Sequence, residues 1–234
     1  MKKSSQKNSV TFQVSGDCAL FADPITRVGG EKSTYMIPTY EAIKGILQSV
    51  FWKPTINWII DEVRIMNPIQ MEAKAVKPLK IDGSNDLAYY TYLKDVMYQV
   101  RAHFEFNQNR PEFRQDWNTQ KYIQMSNRMI ERGGRRDIFL GTRECQGYVE
   151  PCRFGEGKGY YDHVSYMNFG FGYHGITYPD EALLPEDKGY MTVRFWTPVM
   201  RNGVIQFCRP EECPKKRHVR QMNMKKFPQK LQEG

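Results

Sequence analysis

The sequence lacks any long apolar run. Its uninterrupted apolar stretches last only a few residues, far short of the ~20 that a membrane span requires. The opening residues Met1–Ser9 are basic and polar and lack the apolar core of a secretory signal. Cysteine is sparse: Cys18, Cys145, Cys152, Cys208 and Cys213 are odd in number and irregularly spaced. That usage speaks for reduced thiols and a cytoplasmic protein rather than a disulfide framework. Cys208 and Cys213 could ligate a metal, but no second close pair joins them, so neither a metal site nor a cofactor is expected. No P-loop pattern occurs, which removes P-loop nucleotide chemistry. There is no Gly-x-Ser-x-Gly elbow. No compact acidic cluster such as Asp-x-Asp occurs, which argues against a two-metal nuclease. Internal repeats are missing as well.

What is present is a globular composition with a basic bias. Apolar residues make up 40% and charged residues 26% of 234 positions. A chain of that length and balance buries a core without staples. The net charge of +8 calls for an anionic partner, and by charge alone nucleic acid and an acidic membrane face both remain open.

Along the chain, Val10, Phe12 and Val14 alternate as in a short strand, closed by Gly16. Asp23–Thr34 reads as a loop. Pro38–Trp52 has helical spacing: Ile43, Ile46, Leu47, Val50 and Phe51 share one face, with Thr39 as N-cap and Pro54 as terminator. Tyr40, Lys44 and Phe51 line one edge of that face. Ile56–Met66 reads as a strand, and Pro68–Asn85 as a polar excursion. Val96–Phe106 alternates strictly, with Met97, Gln99, Arg101, His103 and Glu105 on the face opposite Val96, Tyr98 and Val100. Asn118–Arg132 has helical spacing again, with Gly133 as its C′ residue. Asp137–Val149 supplies a further strand.

The order β, α, β, β, α, β is that of a ferredoxin-like domain. The expected class is therefore α+β, with a ferredoxin-like (RRM-like) N-terminal domain over residues 1–150. After Pro151, glycines and aromatics dominate. Tyr190–Trp196 alternates, and Asn202-Gly203 is a favoured hairpin turn before Val204–Phe207. Residues 151–213 are expected to form a small antiparallel β-sheet domain, and 214–234 a basic, partly disordered tail.

Gly133-Gly134-Arg135-Arg136 has two readings. Its glycines allow close backbone approach and its arginines can clamp phosphate, with Arg128, Arg132 and Arg143 nearby in sequence. Equally, it is a helix cap followed by solvated charge. Arg101 and His103 on the polar strand face are candidate RNA contacts, although a single strand histidine is more often structural than catalytic.

Several ordered segments together resemble one family: Gly16-Asp17-Cys18-Ala19-Leu20-Phe21, Gly29-Gly30-Glu31-Lys32, Ile37-Pro38-Thr39-Tyr40, Phe51-Trp52-Lys53-Pro54-Thr55, Pro68-Ile69-Gln70, His103-Phe104-Glu105-Phe106-Asn107, Gly133–Glu144, and Val199-Met200-x-Asn202-Gly203. From about Val10 to Pro214 the chain resembles the CRISPR-associated subtype I-C proteins, the Cas-five-d family. The resemblance implies a pre-crRNA processing endoribonuclease. Such a protein binds the repeat hairpin of precursor CRISPR RNA, cuts at its 3′ base without metal, and stays on the 5′ handle. It also implies other type I-C Cascade subunits as partners, and no membrane.

In the family, a 2′-hydroxyl attacks the neighbouring phosphate, which needs a base, a cation and an acid. The roles fall to a Tyr or His near the end of the first helix and a Lys-His pair opening the second. Carried over, these positions are Phe51, Lys121 and Tyr122. Phe51 has no proton to move. Tyr122 has one, with an unperturbed pKa of about 10 against about 6.5 for His. Tyr122 beside Lys121 is the expected substitute. The expected RNA-binding set is Lys44, Arg101, His103, Arg128, Arg135, Arg136 and Arg143. A non-catalytic handle-binding subunit is the alternative.

Overall fold

In the computed structural model, which describes residues 8–24, 26–78, 81, 83–84 and 86–224, Val10, Phe12 and Val14 lie buried on strand β1 (Ser9–Ala19). The strand runs through Gly16 instead of closing there. A Cβ at Gly16 would come within 2.7 Å of the Gln146 carbonyl, so this glycine admits a neighbouring backbone and does not turn the chain.

Helix α1 (Tyr40–Val50) begins as its sequence specifies, with the Thr39 hydroxyl accepting from the Ala42 N–H at 3.2 Å. Tyr40, Ile43, Ile46, Leu47 and Val50 are buried. Each such side chain contributes on the order of 2 kcal/mol on leaving water. Strand β2 (Ile56–Ile65) follows.

The excursion expected at Pro68–Asn85 contains a strand, β3 (Gln70–Val76). Its side chains are mostly exposed, so no apolar alternation announces it. Backbone pairing from Gln70↔Lys94 to Val76↔Ala88 creates it, and β4 (Ala88–Phe106) is correspondingly longer than its alternating half.

Helix α2 (Thr119–Glu131) is capped by the Asn118 side chain, which accepts from the Lys121 N–H at 3.0 Å. Gly133 and Gly134 end it at φ 77° and 112°. Their N–H groups donate to Ile130 and Met129 at 3.0 and 2.8 Å, closing the helix in a left-handed turn. The single strand expected over Asp137–Val149 is a hairpin: β5 (Ile138–Phe139) and β6 (Gln146–Pro151) flank a turn closed by Leu140 N–H to Cys145 O at 2.7 Å.

Six strands follow: β7 (Met167–Asn168), β8 (Gly172–Thr177), β9 (Tyr190–Trp196), β10 (Val199–Arg201), β11 (Val204–Gln206) and β12 (Lys215–Gln221). The large sheet has the order β5-β6-β1-β4-β2-β11-β10-β7, with β3 on the other half of β4; β12-β9-β8 forms a second sheet. The pairings of the named strands are antiparallel, so the fold is mixed, with antiparallel sheets and few helices.

The segment expected to form its own small sheet is thus divided. Its Asn202-Gly203 hairpin joins the large sheet, pairing Val204↔Arg64 through Gln206↔Glu62 with β2, while β8 and β9 stand in the second sheet. The tail expected to be disordered from residue 214 begins with β12, whose backbone pairs with β9 although every one of its side chains is exposed. Lys225, Lys226 and Lys230 lie outside the described residues. Among the described residues no helix is long and apolar enough to cross a membrane.

Candidate active site and nucleic-acid interface

The end of α1 meets the start of α2. Phe51 caps α1, donating its N–H to Leu47 O at 2.8 Å and accepting from Trp58 Nε1 at 2.8 Å. These bonds fix its ring inward, 4% exposed and 6.1 Å from the Tyr122 ring. A short 3₁₀ helix, Pro111–Asp116, leads into α2, anchored by Trp117 stacked on Phe106 at 5.1 Å. The Asn118 cap then places Lys121 and Tyr122 in the first turn. The fold therefore brings Phe51 together with Lys121 and Tyr122, although α1 and α2 lie far apart in sequence.

Asp116 organises this cluster. Its carboxylate pairs with the Lys121 ammonium and accepts from the Tyr122 hydroxyl at 2.5 Å. Burial works to raise its pKa. The hydrogen bonds from Lys121 and Tyr122, with the charges of Lys121 and Lys53, hold it below the usual carboxylate range instead. Tyr122 moves the other way: burial first, then its bond to Asp116, push its pKa up to about 12. Its ring is fully buried. So Tyr122 is held as a protonated hydrogen-bond donor; of the acid and base roles expected for it, this state suits the acid better than the base. Burying the phenol against a carboxylate is what sequence spacing does not reveal.

The Gly133–Arg136 segment forms a helix cap and leaves both of its arginines exposed. Its glycines form the helix cap, and Gly134 packs within 3.6 Å of the Val50 Cα, measured from an ideal Cβ. Arg135 and Arg136 donate their backbone N–H groups to Val50 and Ser49 at 3.2 Å each. Their side chains are exposed beside the end of α1, and Arg128 and Arg132 are exposed at the end of α2. Arg143 is exposed in the β5–β6 turn, whose Leu140 carbonyl accepts from Leu20 at 2.9 Å.

Three expected RNA contacts are occupied elsewhere. Lys44 is buried and paired with Glu181 at 2.6 Å and Glu41 at 3.7 Å. On the face of β4 that carries Arg101 and His103, Gln99 together with Arg64 of β2 binds the Glu156 carbonyl. Arg101 pairs with Glu62 and lies 4.3 Å over the Phe154 ring. His103 is 4% exposed, with Nδ1 2.9 Å from Asp61 and Nε2 3.6 Å from Glu105. Burial opposes its charge, but these two carboxylates raise its pKa to about 9. Arg209 extends the network, holding Glu105 at 2.9 and 3.0 Å. Tyr40, too, is enclosed, its hydroxyl 3.4 Å from Ile60 N and 3.5 Å from Trp58 O.

A cavity of about 340 Å³ is lined by Tyr40, Lys44, Glu105, Glu181, Arg194 and Glu211 among others. Its carboxylates disfavour phosphate. Sequence spacing does not pick out Asp116, Lys53 or Thr55, whose hydroxyl bonds Tyr122. Lys53 and Thr55 stand in the Phe51–Thr55 segment, which is a signal that could find them. Asp116 precedes the α2 cap and has no periodic signal.

A family model described as CRISPR-associated protein (Cas_Cas5), of the Cas5d type, matches residues 9–208. The "CRISPR pre-crRNA endoribonuclease Cas5d" of Mannheimia succiniciproducens is 30% identical over 168 residues, 62% of this chain and 67% of that protein. The protein of the same name from Thermus thermophilus is 27% identical over 149 residues, so the match spans 59% of this chain and 62% of that relative. A crystal structure of a CRISPR-associated protein superposes with TM-score 0.72 at 32% identity, covering 89% of this chain and 96% of the other. A functionally uncharacterized protein of Streptococcus mutans, SMU1763c, gives TM-score 0.74 at 35% identity over the same shares.

Proposed function

Because the chain belongs to the Cas5d family of CRISPR-associated proteins, we propose that it binds the repeat hairpin of precursor CRISPR RNA, cuts at the hairpin's 3′ base without metal, and stays on the 5′ handle as a subunit of type I-C Cascade. The observation that carries this reading is the Lys121–Asp116–Tyr122 cluster against Phe51, with Arg135 and Arg136 hydrogen-bonded to the same end of α1. The order β6-β1-β4-β2, with α1 and α2 as the connecting helices, supports a ferredoxin-like core for the RNA-binding part.

In this reading Arg128, Arg135 and Arg136 hold backbone phosphates next to the cluster. Lys121 neutralises the charge that builds on the scissile phosphate. Asp116, ionised and half-exposed, accepts the 2′-hydroxyl proton; the 2′-oxygen bonds to phosphorus as the bond to the 5′-oxygen breaks, and water protonates that leaving oxygen, giving a 2′,3′-cyclic phosphate and a 5′-hydroxyl. Tyr122 keeps Asp116 in place and supplies no base. Cleavage is slow, since Phe51 adds no proton-transfer group.

A second reading has a specific observation in its favour. The inert Phe51 and the raised pKa of Tyr122 suit a handle-binding subunit that does not cut. Incubating the purified protein with its cognate repeat RNA in EDTA separates the two. Cleavage with a cyclic-phosphate end supports the enzyme; tight binding of intact RNA supports the second reading.

A further inference from the structure

Cys208 and Cys213 acquire a third partner that sequence spacing hides. The two sulfurs lie 3.4 Å apart, and a ring nitrogen of His174 lies within 4.8 Å of both. The three residues come from different places: His174 from β8 in the small sheet, Cys208 from just beyond β11 in the large sheet, and Cys213 from the approach to β12. A bonded disulfide would bring the sulfurs to about 2 Å. Two thiolates on one tetrahedral zinc, each at about 2.3 Å, stand ~3.8 Å apart. The observed separation is closer to the second.

His174 is fully buried and its ring is locked. It stacks on Tyr40 at 4.4 Å and meets Trp196 edge-on at 5.3 Å. Nε2 lies 3.1 Å from the Cys208 carbonyl, Nδ1 is buried with no partner at hydrogen-bond distance, and the ring also interacts with the Cys208 thiol. A neutral ring that donates one N–H to a carbonyl keeps its other nitrogen free for a cation. That is the usual outer support of a metal-bound histidine. An unpartnered buried nitrogen otherwise costs on the order of 1–3 kcal/mol.

We propose that His174, Cys208 and Cys213 bind one thiophilic divalent cation, Zn²⁺ by its chemistry, which clasps the β12-β9-β8 sheet to the end of β11. Binding displaces the thiol protons, and no electron is transferred. Three protein ligands leave one of four tetrahedral positions for water. The site is separate from the candidate active site: Tyr40, stacked on His174, and Phe51 stand at opposite ends of α1, roughly 16 Å apart along its axis.

The test is metal analysis and thiol titration of the full-length protein purified without chelator. One zinc per chain is expected, lost in Cys208→Ser, Cys213→Ser and His174→Ala and retained in Cys18→Ser and Cys152→Ser. Co²⁺ added to the zinc-stripped protein should give a sulfur-to-cobalt charge-transfer band and tetrahedral visible bands. The wild-type result decides even if a variant fails to fold. Metal-free protein with five titratable thiols and no cobalt spectrum overturns the proposal. So does a loss of two thiols to a Cys208–Cys213 disulfide. RNA cleavage is a separate readout, so its absence does not bear on the metal count.

Discussion

The Tyr122 hydroxyl donates to the Asp116 carboxylate at 2.5 Å, and the same carboxylate holds the Lys121 ammonium. With the phenol pushed up to about 12, the rate–pH profile of cleavage should show no tyrosine ionisation below pH ~10. Tyr122→Phe should cost about 1 kcal/mol of stability by removing one hydrogen bond, and slow cleavage less than Lys121→Ala does. A rate that climbs with a tyrosine titration near neutrality would return Tyr122 to the role of base.

Phe51 packs beside Tyr122, their rings 6.1 Å apart. Phe51→Tyr places a hydroxyl where the resemblance implies a Tyr or His and should raise the single-turnover rate roughly tenfold or more, toward the range of one positioned acid–base group. An unchanged or lower rate, with RNA affinity intact, would detach the end of α1 from the chemistry.

Arg135 and Arg136 are exposed and fixed through their backbones to Val50 and Ser49. Replacing either by alanine should weaken RNA binding. It should also lower the slope of log affinity against log salt by ~0.7–0.9 for each phosphate left without its cation. Filter binding across a salt series measures both. Affinity and slope equal to wild type would take the segment off the RNA surface.

His103 sits between Asp61 and Glu105, with a folded pKa near 9 against about 6.5 when unfolded. Its stabilisation is fully present below pH ~6.5 and lost as pH rises through about 9. Glu105, drawn to about 2 by His103 and then Arg209, adds stability above the unfolded glutamate pKa that fades as pH falls toward 2. His103→Gln should therefore cost roughly 2 kcal/mol near pH 6 in urea unfolding, with the deficit shrinking as pH rises from ~6.5 and its pH-dependent part gone above pH ~9. A deficit independent of pH would mean that His103 contributes packing alone.

The sequence is most legible where side chains carry the signal. Thr39 and Asn118 mark both helix starts, Gly133 one helix end, and Asn202-Gly203 the hairpin, because each supplies a local bond or a positive φ. It is least legible where backbone pairing alone makes a strand. β3 and β12 expose most or all of their side chains, so nothing alternates. The polar face of β4 reads as a surface, yet Gln99 holds the Glu156 carbonyl, Phe154 lies against the partly exposed Arg101, which pairs with Glu62, and His103 is buried between Asp61 and Glu105. At the candidate site, the positions of Phe51, Lys121 and Tyr122 follow from the resemblance. Asp116 and the approach of His174 to two cysteines depend on tertiary packing that no local spacing encodes.

The central claim is that Lys121 serves cleavage of repeat RNA and not merely its retention. Lys121 is half-exposed, so its removal should cost little stability. The decisive measurement is single-turnover cleavage of the cognate repeat RNA in EDTA by wild type and Lys121→Ala, with affinity measured on the same RNA. The account predicts slow, specific cutting by wild type, at least roughly a hundredfold slower cutting by the variant on the general scale of such electrostatic groups, and affinity within a few-fold. Equal cutting by both proteins, or intact RNA bound tightly by both, would contradict it.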